Sequence, residues 1–562
     1  MSRMHGQPER RSAVGYVWLG AGVLTGAAAA AAAVLGVISL LGPAASAGAA
    51  GPPRFVAESE TSGIDHAYDG DFTFFVGGGV AVFDCDDDGR LDLYLAGGAG
   101  PAALYRNESP PGGALRFTAV TSPTTDLTEV TGAYPIDVDG DSFTDLAVLR
   151  VGENVMLRGR GGCAFERANE QWSIDGGAEW TAAFSAKWEG SADLPTLAFG
   201  NYVELTDEGL QTSGECSDNY LFRPAPDGSG YSEATPLTPG WCTLSILFSD
   251  WDRSGRRDLR MTNDRHYYRD GEEQLWQMAV GAPPRLYGHD EGWRRMQIWG
   301  MGIASQDLNG DGRPEVFLTS QGDNKLQTLT DSSGRPSYED IALASGVTAH
   351  RPFAGGDAMP STAWHAEFQD VNNDASMDLF ITKGNVDAMS EFAMDDPSNL
   401  LLGGPDGSFV ESAVEAGIVD FATARGAAVA DLNGDGMLDL VVVNRRENVS
   451  LWRNVGSGVA ERPEPMGSWL AIDLEQEGPN HDGVGAWIEV AAGERSVVRE
   501  VTIGGGHAGG QLGPVHFGLG DADRARVRVQ WPDGEVGTWL DAPADQVVVV
   551  ERGAVQVRLR VP

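Results

Sequence analysis

A nine-residue pattern, Asp-x-Asp/Asn-x-Asp-Gly-x-x-Asp, recurs with small variations six times along the chain and limits what it can fold into. The copies run from Asp84 to Asp92, Asp137 to Asp145, Asp250 to Asp258, Asp307 to Glu315, Asp370 to Asp378 and Asp431 to Asp439. Each follows small or apolar residues and leads into a strand-like run such as Leu93-Tyr94-Leu95 or Leu440-Val441-Val442-Val443. A period of roughly 50 to 60 residues is the size of one small sheet, and such a unit buries its faces only against copies of itself. Between the second and third copies the gap is doubled, and Leu194-Pro195-Thr196-Leu197-Ala198-Phe199-Gly200-Asn201 repeats the tail of the unit. Trp188, Gly190 and Ala192 stand there in place of acids, which makes a seventh unit without metal ligands.

A second recurring element, a short strand led by an aromatic residue, is expected at Phe55, Phe117, Phe165, Tyr231, Trp293, Tyr338 and Phe409. No eighth aromatic strand follows the last loop, so the Phe55 strand is expected to close the ring as the outer strand of the last unit. Closure of that kind protects sheet edges. The expected fold is all-β: a seven-bladed β-propeller over residues 51–459, one blade metal-free, followed by a small β domain over 466–562. Alternating strands such as Arg526-Val527-Arg528-Val529 mark that second domain, and residues 460–465 read as a hinge.

Hard cations take six to eight oxygens, and carboxylates at loop positions 1, 3, 5 and 9 with the carbonyl of position 7 can converge on one. Gly at position 6 permits the turn. The expected cofactor is structural Ca2+ at about six sites, counted from the six loops. The ligands would be Asp84, Asp86, Asp88, the Arg90 carbonyl and Asp92, then Asp137, Asp139, Asp141 and Asp145. The third set is Asp250, Asp252, Ser254 and Asp258, and the fourth Asp307, Asn309, Asp311 and Glu315. Asp370, Asn372, Asp374 and Asp378, then Asp431, Asn433, Asp435 and Asp439, complete the series. An EF-hand would need Glu at position 12 and flanking helices, whereas here the ninth residue enters a strand. Ser142 and Ala375 replace the glycine in two copies, and Ser254 weakens the third.

The formal charge of -41 excludes a basic nucleic-acid footprint, and much of it lies in these loops. Residues 1–50 read as a targeting segment: Arg3, Arg10 and Arg11 precede an apolar run over 14–41, and Ala45-Ser46-Ala47 fits a signal-peptidase site. The run serves either as a cleaved signal peptide or as a retained transmembrane anchor, and both place the rest outside, secreted or periplasmic. Membrane contact is expected only through this segment. Four cysteines suit that compartment. A Cys216–Cys242 bridge is expected because the pair brackets one excursion, and Cys85 with Cys163 is the remaining pairing.

The chain from Phe55 onward resembles the cartilage acidic protein (ASPIC/UnbV) family, in which integrin-α-like FG-GAP repeats precede an ASPIC/UnbV domain. The resemblance rests on the loops and on Asn480-His481-Asp482-Gly483-Val484-Gly485-Ala486, Arg499-Glu500-Val501, His516-Phe517-Gly518-Leu519-Gly520 and Val529-Gln530-Trp531-Pro532-Asp533-Gly534. Members usually carry Gly-Tyr-x-Ser-Gln where this chain has Gly506-His507-Ala508-Gly509-Gly510-Gln511. The resemblance implies an extracellular or periplasmic calcium propeller and no established catalytic residues.

A binding or adhesion module for an extracellular protein or glycan is therefore expected, with an exported hydrolase or lyase as the alternative. The turns opposite the aspartate loops supply the candidate ligand-binding residues Asn201, Asn263, Asp264, Asn324, His365, Lys383, Asn385, Asn444 and Arg445. His365 with Asp264 and Lys383 would be the catalytic cluster if the blades bring them together. The Gly504-Gly505-Gly506-His507-Ala508-Gly509 run matches a dinucleotide fingerprint by letter, but no helix follows, so it reads as a β turn.

Overall fold

The structure, a computed structural model, describes residues 51–205, 215–264, 271–331, 333–348, 359–387 and 389–560. The expected signal or anchor segment lies outside these residues, and among them no helix is long and apolar enough to cross a membrane.

Seven sheets are each built as an antiparallel four-strand meander. Their first strands are Val80–Phe83, Val130–Ile136, Thr181–Lys187, Thr243–Ser249, Gly300–Gln306, Ala363–Gln369 and Ala424–Ala430. Each packs against the first strand of the next sheet, and Ala424–Ala430 returns to Val80–Phe83, so the seven form a closed ring around one axis. Small residues recur in several of these strands, as in Ala424–Ala430, and leave space for backbone to pass close by near the axis. In six of the sheets the register shifts near the start of the first strand, a bulge that increases local twist. The last sheet takes its outer strand from the start of the chain, with Phe55 opposite Asn454.

The outer strands begin at Phe117, Phe165, Tyr338 and Phe409, but the third and fourth are Thr235–Leu237 and Arg285–Leu286. Tyr231 and Trp293, expected to lead them, are instead buried beside Trp172 and Tyr338 respectively. At these two positions the aromatic packs at the blade edge instead of starting the strand.

The C-terminal region pairs two four-stranded sheets around Leu470, Ile472, Ile488, Phe517, Val527 and Val548. One sheet contains a parallel pair, Ser468–Glu475 with Gln546–Glu551. This core is separate, yet residues 50–562 form one compact unit. The expected hinge is a closed turn: Val459 and Arg462 exchange amide hydrogen bonds of 3.1 and 2.9 Å, and Gly456 bridges Glu464. Both disulfides are formed, Cys216–Cys242 within the third sheet's excursion and Cys85–Cys163 between the first two sheets.

Candidate functional site

In every aspartate loop the first carboxylate organises the turn by accepting loop amides. Asp84 takes those of Asp88 and Gly89, Asp137 those of Gly140 and Ser142, and Asp250 that of Gly255. Asp307 takes those of Gly310 and Gly312, Asp370 those of Asp374 and Ala375, and Asp431 those of Gly434, Asp435 and Gly436. Ser142 and Ala375 accept positive φ angles of 70° and 65° where glycine was expected, so the turn survives its loss at a strain cost.

The ninth residue is a staple. One oxygen takes the amide of loop position 2 and the other an amide of the third strand: Cys85 and Asn107 for Asp92, Val138 and Gly159 for Asp145. Val371 and Gly403 serve Asp378, and Leu432 and Asn454 serve Asp439. Burial raises these carboxyls, Asp92 to about 7 and Asp145 to about 8. Burial and the neighbouring carboxylates both disfavour the ionised form of these groups.

Buried oxygens that lack a hydrogen-bond donor test whether the loops fit a hard ion. Asp86 Oδ1, Asp139 Oδ1, Asp250 Oδ1, Asn433 Oδ1 and Asp435 Oδ2 are all of this kind. The carboxylates of Asp84, Asp86 and Asp92, and of Asp137, Asp139 and Asp145, each offer ligand atoms within 4.8 Å of one another. These acidic groups can hold a metal ion, and an all-oxygen donor set suits a hard one.

The second and third of these loops also carry an internal cation. Arg256 donates to Asp258 at 2.8 Å while Trp251 Nε1 and Tyr287 donate to its second oxygen, which leaves that carboxylate saturated. Arg158 bridges Asp139 and Asp141 at 2.6 and 2.8 Å. In the third blade, where the acids are lost, buried Lys187 lies 3.4 Å from Glu189 and donates to the carbonyl of Arg257. Elsewhere Asp252 and Asp374 order their own turns by accepting the amides of Ser254 and Ser376, Asp311 accepts that of Arg313, and Asn372 reaches Asp374. Asn309 donates to Glu315 at 2.7 Å, and Asp88 pairs with Arg90.

The candidate ligand-binding residues are buried, and each is engaged locally. Asn201 and Asn263 accept the hydroxyls of Thr181 and Thr243, and Asn444 donates to Asn448 O and Ser450 Oγ. Asn324 accepts the Ser320 amide, and Asn385 donates to the carbonyls of Met389 and Ala393. Asp264 takes the Tyr202 hydroxyl, Lys383 pairs with buried Asp396 at 2.6 Å, and Arg445 with Asp387 at 2.6 Å. Of the three residues of the expected cluster, His365 contacts Thr382 and the His507 amide, Asp264 accepts the Tyr202 hydroxyl and Lys383 pairs with Asp396. Trp364 is core, with Arg425 stacked 4.2 Å over its ring.

What sequence reasoning missed is where the C-terminal domain sits. It covers the aspartate-loop end of the ring: His516 bonds Asn373 at 2.7 Å, Arg560 bonds Asp84 at 3.2 Å, and Glu500 accepts Ser249 Oγ at 2.6 Å and the Asp250 amide at 2.9 Å. From this face the glycine run enters the axis. Ile503 bridges Ala186, Gly504 bridges Leu247, Gly506 bridges Ile303 and Gly509 bridges Ala133. Gly510 and Gln511 then pair in parallel with Ala81 and Val82. The expected β turn is thus a plug that visits one first strand after another. Its glycines are required: a Cβ on Gly506 would lie 2.6 Å from His365, and one on Gly504 2.8 Å from the Ile246 carbonyl. Three successive glycines outside any helix were the available signal, since they mark close backbone approach.

At the centre, fully buried His507 accepts the Gly77 amide at 3.2 Å and bonds the Met301 carbonyl at 3.0 Å, and burial lowers it to about 3. The departure from the family pattern at this position is therefore an internal packing feature.

This architecture defines a β-propeller of FG-GAP type capped by an ASPIC/UnbV domain. Residues 476–557 match the ASPIC and UnbV family model, and residues 84–148 and 370–442 match the FG-GAP-like repeat. The presence of both modules in one chain, with weak similarity to cartilage acidic protein 1, supports a cartilage acidic protein-like family. It is 25% identical over 243 residues to cartilage acidic protein 1 of Xenopus tropicalis and 24% over 256 residues to that of Homo sapiens, in each case across 42% of this chain. The matches span about a third of the relatives' length, 34% and 33%. Among solved structures, a fucose-specific lectin from Aleuria aurantia is similar over 64% of this chain and 96% of its own at 10% identity, with a TM-score of 0.34. The calcium structure of Trichoderma reesei carbohydrate-active enzyme family AA12 is similar over 73% and 99%, at 11% identity and a TM-score of 0.32.

Proposed function

We propose that the chain is an exported binding module: a seven-bladed propeller clipped by Ca2+ and locked by its C-terminal domain, serving an extracellular protein or glycan. The observation that carries the reading is the set of buried loop oxygens without donors, which recur at loop position 3 in three blades, at Asp86, Asp139 and Asn433. At tenfold excess over its dissociation constant, each bound ion adds about 1.4 kcal/mol to the folded state. Two disulfides support an oxidising compartment, and the N-terminal segment supplies the export signal or the anchor. With the loop end of the ring occupied by the C-terminal domain, the partner is assigned to surface at the other end, around the turns that hold Asn444 and Arg445.

The hydrolase or lyase reading is not favoured. His365 Nδ1 already accepts the His507 amide at 3.1 Å, so its proton sits on Nε2 and no basic lone pair is left for proton abstraction. The test is thermal unfolding of the exported chain in Ca2+ and in excess EGTA, combined with equilibrium dialysis for bound ion. A substantially lower midpoint in EGTA supports the reading, and an unchanged midpoint with no bound Ca2+ overturns it.

A further inference from the structure

Between the ring and the C-terminal domain lies a cavity of about 440 Å³, within the size range of small-molecule sites. Its walls are largely aliphatic, with Ile303, Val429, Leu512, Val515 and Val547 among them. Gly89, Pro111 and Gly434, all exposed, also line it and place its opening at the seam between the first and last blades.

Two lining residues carry a buried polar atom without a hydrogen-bond partner, Asn433 Oδ1 in the last aspartate loop and His365 Nε2. His365 is 5% exposed, its Nδ1 accepts the plug amide of His507, and its Nε2 has no hydrogen-bond partner. The nearest carboxylate oxygen, Glu367 Oε2, is 3.5 Å away. Glu367 is itself satisfied: Oε1 accepts Gln369 and Gln511 Nε2, each at 2.7 Å, and Oε2 accepts the Val429 amide at 3.1 Å. The opposing charge is Arg499, which donates to Gln369 Oε1 at 2.7 Å and to the carbonyls of Phe368 and His516. Gln369 therefore couples the cation to the anion, and the pair needs no counter-charge from outside. Beside His365 and the aliphatic wall, where Glu367 and Arg499 already compensate each other through Gln369, a charged guest would lose its hydration without a free counter-charge. A buried N–H donor, by contrast, calls for an acceptor.

We propose that this cavity binds a neutral, largely apolar small molecule whose single carbonyl or hydroxyl oxygen accepts a hydrogen bond from His365 Nε2. The first and last aspartate loops line the mouth of this site, the partner surface proposed above is not part of it, and the C-terminal domain completes it by supplying Arg499, Gln511 and the plug.

The probe is prodan, a neutral naphthalene ketone whose emission shifts to the blue in an apolar site. Titrated into the exported chain in Ca2+ buffer, it should show saturable, blue-shifted emission with one site per chain. Ser305→Trp, at a half-buried lining position, should abolish the signal. His365→Asn keeps an acceptor for the His507 amide but, being shorter, withdraws the donor from the Nε2 position, and should weaken binding about tenfold, the size of one lost hydrogen bond. Melting curves of both variants are run alongside, so that either one that retains the wild-type midpoint decides the matter. Absence of saturable emission with the wild type overturns the proposal, and so does equal affinity in a variant that melts like the wild type.

Discussion

The His507 amide donates to His365 Nδ1 at 3.1 Å, which joins the C-terminal domain to the sixth inner strand at the axis of the ring. Beside that bond, Gly506 holds φ at 55° with its Cα packed against the His365 ring. Gly506→Val meets both obstacles at once, a left-handed backbone and a side chain with no space. It should cost about 3 kcal/mol, in the range of severe strain and overpacking. Urea denaturation followed by intrinsic tryptophan fluorescence checks the value. Wild-type stability in this variant would show that the plug does not hold the ring.

Acid should weaken the same contact. His507 is held neutral with its folded pKa lowered by burial to about 3, against 6.5 when unfolded, and Arg425 and His365 face it as further positive or protonatable groups. Between those values the unfolded chain binds the extra proton, so the stabilisation is complete above pH 6.5 and is lost as pH falls toward 3. The slope is at most about 1.4 kcal/mol per pH unit. His507→Gln removes the titrating group, and its stability measured against pH should fall less steeply across that window than the wild type's.

The loops should differ in their response to substitution. Asp86 has a buried oxygen without a donor, whereas Asp258 is already neutralised by Arg256. Asp86→Asn should lower bound Ca2+ by one ion per chain in equilibrium dialysis, and Asp252→Asn should leave the count unchanged. Equal losses from both would mean that the Arg256 pair opens to admit an ion.

Those loops were the legible part of the sequence, because one local geometry repeated six times makes its own pattern. Residues 188–195 were recognisable as a loop that had lost its acids for the same reason. Single-copy contacts left no such trace. Asn201, Asn263 and Asn444 looked like a polar rim, yet each closes a turn inside its own sheet, since Asn satisfies backbone groups as readily as it meets solvent. The glycine run at 504–506 looked like a turn because its partners lie hundreds of residues earlier in the chain, and no local rule specifies a backbone that must thread a ring. Arg256 shows the limit at a finer scale: a loop with an acceptable ligand spacing carries its own cation, a fact held in side-chain geometry alone.

The two disulfides should contribute unequally. Cys85–Cys163 joins residues 78 apart and ties the second position of the first aspartate loop to the second blade, while Cys216–Cys242 closes a separation of 26. Chain-entropy arguments assign about 4.5 kcal/mol to the former and about 3.5 kcal/mol to the latter. The first bridge has an added effect, because the Cys85 amide donates to Asp92 and the Cys163 amide to the Cys85 carbonyl, so the bridge helps hold the loop that would grip the ion. Cys85→Ser with Cys163→Ser should therefore lower stability more than the Cys216 and Cys242 pair of serines. It alone should also weaken Ca2+ binding at one site, measured by calorimetric titration. Equal Ca2+ affinity in both double variants would confine the first bridge to a purely covalent role.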